Sequence, residues 1–140
     1  MKSLYLIVLG LVLVSCGAQK IVSYEYVVNT RGYNFSMVVN KKEIKESSDV
    51  EISKNKFSEN IFITDSNLWK ALKKGSKNIK LKEISKLDSP TNRRQFDGAM
   101  FANLIISTKD STYRSASFDH GQPPAMLKVV VDSLVNLMKH

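Results

Sequence analysis

From Val22 onward apolar and polar positions alternate, with Val22, Tyr24, Tyr26 and Val28 standing against Ser23, Glu25 and Val27. A period of two sends successive side chains to opposite faces, so this stretch predicts a strand with one buried face. Thr30-Arg31-Gly32 supplies a turn, after which Phe35, Met37 and Val39 repeat the alternation against Asn34, Ser36, Val38 and Asn40. Asn40-Lys41-Lys42 is a second polar break. A weaker third strand is expected from about Ile44 to Ile52, with Glu46-Ser47-Ser48-Asp49 at its edge or in a turn.

The period then lengthens. Thr64-Asp65-Ser66-Asn67 offers side chains able to cap a helix, and Leu68, Trp69, Ala71 and Leu72 follow at helical spacing before Gly75, which predicts a stop. Ile79, Leu81, Ile84 and Leu87 suggest an irregular or second helical piece, and Asp88-Ser89-Pro90-Thr91-Asn92 a loop. The run from Ala99 to Ile106 is apolar on both faces, as a covered central strand requires. Tyr113 to Phe118 is its expected hairpin partner, and Pro123-Pro124 opens a last helix whose apolar stripe is Leu127, Val130, Val131, Leu134, Leu137 and Met138. Strands, helix, strands, helix make an α+β fold: an antiparallel sheet of about five strands with two main helices.

The first twenty residues break from this pattern. Lys2 precedes an uncharged apolar run, Leu4 to Val14, that ends at Ser15-Cys16. A basic start, an apolar stretch and small residues at a cleavage point are the layout of a signal peptide. The run is short for a membrane span, which needs about 20 apolar residues. Leu13-Val14-Ser15-Cys16 looks like a lipobox, the processing signature in which a cysteine is acylated and becomes the mature N-terminus. Cys16 is the sole cysteine. A lone thiol in an oxidising compartment is liable to oxidation or cross-linking, and acylation removes it.

The division expected is therefore a signal peptide over 1–15, a lipidated tether over 16–20 and one α+β domain over 21–140, a size that suits a single core. Loss of Lys2 on cleavage takes the formal charge from +8 to +7. The lysines are spread along the chain, and a basic balance favours acidic partners such as anionic headgroups or envelope polymers. Export makes nucleic acid the least suitable of these, and none is predicted. Gly17 after the cysteine is not an acidic retention signal, which implies an outer-membrane address facing the periplasm.

Candidate chemistry gathers in loops. Arg31, Arg93 and Arg94 are suited to gripping a carboxylate or phosphate in a bidentate way, or to fastening loops by pairing with Asp97 or Asp119. His120 beside Asp119, with Asp97 elsewhere, allows an acid/base pair or a hydrolytic metal. The alternative is a turn in which Asp119 accepts backbone N–H bonds near the start of the last helix and Gly121 takes a left-handed backbone. The chain has no G-x-S-x-G, H-E-x-x-H, P-loop or C-x-x-C frame, so no cofactor and no dedicated metal site is predicted. Trp69 and Tyr113 read as core residues and the lysines of the first helix as a solvated face.

Asn92-Arg93-Arg94-Gln95-Phe96-Asp97-Gly98-Ala99 and Ser117-Phe118-Asp119-His120-Gly121-Gln122-Pro123-Pro124, together with Thr30-Arg31-Gly32 and the lipobox, resemble a family of small lipoproteins from Bacteroidota-type bacteria. No activity is attached to that family, so the resemblance implies a location and an architecture and no reaction. The expectation is a lipid-anchored envelope protein that binds a partner, a protein or an anionic polymer, without catalysis. Its binding loops would carry Arg31, Arg93, Arg94, Asp97, Asp119 and His120. Two other readings stand beside it: a hydrolase using Asp97, Asp119 and His120, and a structural or inhibitor-like envelope module.

Overall fold

The computed structural model describes residues 19–50 and 56–139. The expected signal peptide, Cys16 and most of the expected tether lie outside the described residues. The domain is α+β, with helices packed on one face of an antiparallel sheet.

Strands β1 (Ile21–Thr30), β2 (Tyr33–Asn40), β3 (Glu43–Val50) and β4 (Lys56–Ile63) form a meander. Helix α1 (Ser66–Ser76), a 3₁₀ turn (Leu81–Lys86) and the short helix α2 (Arg93–Phe96) follow. Strands β5 (Phe101–Thr108), β6 (Thr112–Arg114) and β7 (Phe118–Asp119) come next, and a 3₁₀ turn at Ala125–Leu127 leads into helix α3 (Lys128–Leu137). The sheet order is β4-β3-β2-β1-β5-β6, with β7 also paired to β5.

Among the described residues seven strands therefore stand where about five were expected. β4 has no clean alternation, since Lys56-Phe57-Ser58-Glu59-Asn60 precedes Ile61-Phe62-Ile63, and it is a strand because β3 offers it a hydrogen-bonding edge. For the same reason Glu46 to Asp49 lie in the interior of the sheet, paired on both sides, and not at its edge. The single expected hairpin partner of β5 is split into β6 and β7. At the break the Ser115 N–H donates to the Leu104 carbonyl while the Ser115 hydroxyl accepts the Leu104 N–H, so a side chain replaces one rung of the ladder.

Alternation in β1 and β2 produces the core face. Tyr24, Tyr26, Val28, Met37 and Val39 are fully buried and meet Ala102, Leu104 and Ile106 of β5 and Phe118 of β7. From above come Trp69 and Leu72 of α1, Ile84, and Leu127, Val130, Val131 and Leu134 of the last helical segment. Each large side chain removed from water in this way stabilises the fold by about 1.5–3 kcal/mol. The Tyr24 hydroxyl shares a 2.7 Å hydrogen bond with Ser76, and Trp69 meets the Tyr24 ring edge-on at 5.6 Å. Among the described residues the buried apolar side chains of the core fall between Tyr24 and Leu134.

Helix α1 does not stop at Gly75. It continues to Ser76, and Gly75 serves packing: a Cβ there would lie 2.7 Å from Val129 Cγ1 on α3. The missing side chain lets the two helices approach. Asp65 is the N-cap residue but makes no side-chain cap bond, whereas Thr64 turns its hydroxyl to the Asn40 carbonyl at 2.8 Å and joins α1 to the β2–β3 turn.

The register defines two ends of the sheet. Ile21 opposes Thr108 and Ser23 opposes Asn40, so the start of β1, the β2–β3 turn and the end of β5 share one end. Glu43 opposes Ile63 and places the end of β4 there as well. This is the end at which Gln19 and Lys20 lead into β1. At the other, roughly 30 Å along β1 at about 3.3 Å per residue, Asn29 opposes Phe101 and Phe101 opposes Asp119.

Candidate functional site

The far end of the sheet collects the predicted loop residues. Arg31 and Gly32 form the two-residue β1–β2 turn, closed by the Thr30–Tyr33 pair, with Gly32 at φ 74° as such tight turns require. Asp119 and His120 leave β7 opposite the start of β5. Helix α2, a single turn that carries Arg93 and Arg94 and is followed by its C-cap Asp97, is fastened to Asp119. The six residues thus share one end of the fold, although they come from three separate stretches of chain.

Their roles diverge once the hydrogen bonds are followed. The Asp119 carboxylate is 2% exposed and saturated with donors. Its Oδ2 accepts from the Thr91 hydroxyl at 2.5 Å and the Arg93 N–H at 2.8 Å, and its Oδ1 accepts from the Arg94 N–H at 2.9 Å and the Arg94 guanidinium at 3.0 Å. Burial alone pushes this carboxyl up. The Thr91 hydroxyl, the Arg94 N–H and guanidinium and the Arg93 N–H outweigh it and hold the group well below the usual carboxylate range. Arg94 is nearly as buried as its partner and also donates to Ser89 Oγ and the Thr91 carbonyl.

The Arg94–Asp119 pair is therefore a fastener: it ties the loop from Ser89 and the start of α2 to the end of β7. Asp119 does accept backbone N–H groups at a helix start, but the helix is α2 and not the last one. Both oxygens of Asp119 and the Nη1 of Arg94 are taken up inside the loop. Arg94 and Asp119 act on the loop end by positioning it.

His120 is half-buried. Its Nδ1 lies 3.1 Å from the hydroxyl of Tyr26, which is itself fully buried, and the Gly121 N–H donates to the same hydroxyl at 3.2 Å. Burial pushes the Tyr26 phenol up to about 12, against the Gly121 hydrogen bond and helped by the charge of Asp132. Tyr26 thus keeps its proton, and its hydroxyl shares the hydrogen bond with His120 Nδ1 in a direction that follows the ring tautomer. Burial also lowers the pKa of His120 and favours the neutral ring. Gly121 adopts φ 76°, a left-handed conformation that lets the chain reverse between β7 and the segment leading to α3.

Asp97 is exposed and its Oδ2 accepts from Arg93 Nε at 3.4 Å, a surface pair of small energetic value. Asp97 is consequently held by the Arg93 side chain, Asp119 by Thr91, the Arg93 and Arg94 backbone and the Arg94 guanidinium, and His120 by Tyr26. Among the described residues no group of three His, Cys, Asp or Glu side chains could hold a metal ion.

What remains accessible at this end is Arg31, Arg93 with Asp97, and two aromatics that sequence reasoning passed over. Phe96 is 84% exposed at the end of α2, and Phe101 is 42% exposed at the start of β5. The signal for Phe96 was present, since an aromatic between Gln95 and Asp97 in a polar loop has no core to join. Tyr26 and Thr91 were also passed over, because their partners lie 94 and 28 residues away. No protein-family model matches the chain, and no curated protein matches it.

Proposed function

We propose that the chain is a lipid-anchored protein of the bacterial cell envelope whose domain binds a partner, without catalysis, through the loop end carrying Arg31, Arg93, Phe96 and Asp97. The observation that carries the reading is the sheet register. Arg31, α2 and the Asp119–Gly121 turn lie at one end of β1, and the tether joins at the other. With acyl chains on Cys16 in the outer membrane, the loop end points away from the bilayer into the periplasm, where an envelope protein or anionic polymer is within reach.

The signal-peptide layout of residues 1–15 and the lipobox at Leu13-Val14-Ser15-Cys16 support the anchor. The buried Arg94–Asp119 fastener supports a preformed surface, because a loop that is already ordered loses little entropy on binding. An exposed Phe beside an Arg is the side-chain chemistry on which binding energy concentrates. Hydrolysis by Asp97, Asp119 and His120 has no such support, since their polar atoms are engaged separately.

Photo-crosslinking in intact cells tests the proposal. A crosslinking amino acid at Phe96 or Arg31 is expected to capture a discrete envelope partner, and one at Ser47 in the open face of the sheet is expected not to. Equal capture from all three positions, or capture from Ser47 alone, refutes it.

A further inference from the structure

The end where the tether joins has its own chemistry. A groove of about 380 Å³ lies between the start of β1, the β2–β3 turn and α1. Its floor is apolar, formed by Ile21 and Trp69, and its rim carries Lys20, Lys41, Lys70 and Lys73 with no acidic residue among those lining it. All four lysines are exposed and take part in no ion pair among the described residues. They come from three separate elements, so the cluster is a product of the fold and not of one basic run.

Beside it stands Ile63, 90% exposed at the end of β4. It sits next to the same turn, because Glu43 opposes Ile63 and the Thr64 N–H donates to the Lys42 carbonyl at 3.0 Å. A bare aliphatic side chain and four unpaired lysines at the same end of a domain are costly in water and useful at a lipid headgroup layer. There the apolar group inserts and the ammonium groups meet phosphates.

We infer that this end docks on an anionic phospholipid surface, with Lys20, Lys41, Lys70 and Lys73 on the headgroups and Ile63 inserted between them. Charge complementarity selects the occupant: a lysine near an anionic leaflet raises partitioning by about fivefold, and several act together. Docking would fix the orientation of the domain, holding the far loop end upright above the bilayer. The inference is separate from the acyl anchor, which would tether the domain to any bilayer without orienting it.

Trp69, the sole tryptophan, lines the groove and reports the contact. The full chain is incorporated into vesicles of phosphatidylcholine alone or of phosphatidylcholine mixed with phosphatidylglycerol. Flotation reports association, and quenching of Trp69 by lipids brominated on their acyl chains reports docking. The expected result is stronger quenching with phosphatidylglycerol, abolished in 1 M salt, where the Debye length falls to about 3 Å.

The triple variant Lys41→Glu/Lys70→Glu/Lys73→Glu should lower the docking equilibrium by at least ~100-fold, bringing quenching to the phosphatidylcholine level. Ile63→Ser should lower it in part. Both change only exposed positions, and a thermal melt checks that they fold. Should the triple variant melt abnormally, the single reversals Lys70→Glu and Lys73→Glu and the salt series on the unaltered chain decide. Quenching that is the same in both vesicle types, or unchanged by the reversals, overturns the inference. So does protection of Trp69 by a soluble acidic polysaccharide without any gain on phosphatidylglycerol. Flotation on phosphatidylcholine alone reports the acyl anchor, so failure of the anchor and failure of the docking are read separately.

Discussion

Replacing Asp119 by Asn changes by one atom a buried side chain that accepts four hydrogen bonds. The carboxylate receives Thr91, the backbone of Arg93 and both the backbone and guanidinium of Arg94. Asparagine keeps one acceptor oxygen but turns an NH₂ donor toward groups that are all donors, and it leaves the guanidinium of Arg94, 9% exposed, without its anion. Breaking a buried pair by removing one partner costs about 3–5 kcal/mol, out of a total stability of about 5–15 kcal/mol for a domain. At about 4 °C per kcal/mol for a domain of this size, the melting temperature should fall by roughly 12–20 °C. Thermal melts followed by circular dichroism measure it.

Acid sharpens that test. The folded Asp119 holds its proton more weakly than an unfolded aspartate, whose pKa is about 3.9. Its stabilisation is therefore complete above that value and drains away as pH falls through about 4 toward the lower folded pKa, where the unfolded chain binds the extra proton. The gap between the unaltered chain and Asp119→Asn should narrow in acid. In the double variant with Arg94→Met the stranded charge is gone, so the cost should be smaller than the sum of the singles by about 1–3 kcal/mol. A fall of less than about 4 °C for Asp119→Asn, equivalent to ~1 kcal/mol, would refute the fastener, as would a gap that stays constant into acid.

Three further outcomes are expected. Gly75→Ala gains about 1 kcal/mol of helix propensity but pushes a Cβ to 2.7 Å from Val129; it should destabilise, and adding Val129→Ala should restore stability to at least the starting level in chemical denaturation. The His120 ring, buried against Tyr26, should titrate by NMR with a midpoint below its ordinary value of about 6.5. Because its folded pKa is depressed, its contribution to stability is complete above that value and is lost as pH falls toward the folded pKa. Cys16→Ser should abolish incorporation of a palmitate analogue and release the protein from membranes, since a hydroxyl cannot form the thioether. A chain starting at Lys20 should still melt cooperatively, because the core begins at Tyr24.

The patterns that sequence alone determined are those set by local geometry. Alternation in Tyr24 to Val28 and Phe35 to Val39 specifies which face of β1 and β2 is buried, because the pleat has a period of two whatever the partner, whereas Val22, beside a register shift at the start of β1, is 41% exposed. The stripe Leu127, Val130, Val131, Leu134, Leu137 and Met138 specifies the buried side of the last helical segment in the same way: the first four are fully buried, and Leu137 and Met138 at its end are partly buried. Asp119, Arg93 and Arg94 were legible as loop chemistry, and pairing of one Arg with Asp119 was among the possibilities.

Which possibility holds was decided by tertiary structure. Asp119 and Arg94 are 25 residues apart, and only the pairing of β5 with β7 brings the end of β7 to α2. Register likewise makes a strand of Lys56–Ile63, whose own pattern is poor, and close packing of α3 turns Gly75 from a helix stop into a helix contact. The basic groove is the clearest case, because Lys20, Lys41 and Lys70 are neighbours only after β1, the β2–β3 turn and α1 have assembled. Side-chain periodicity is a property of a few consecutive residues, whereas which distant charges meet depends on strand register and helix docking, and those are settled by burying the whole core at once.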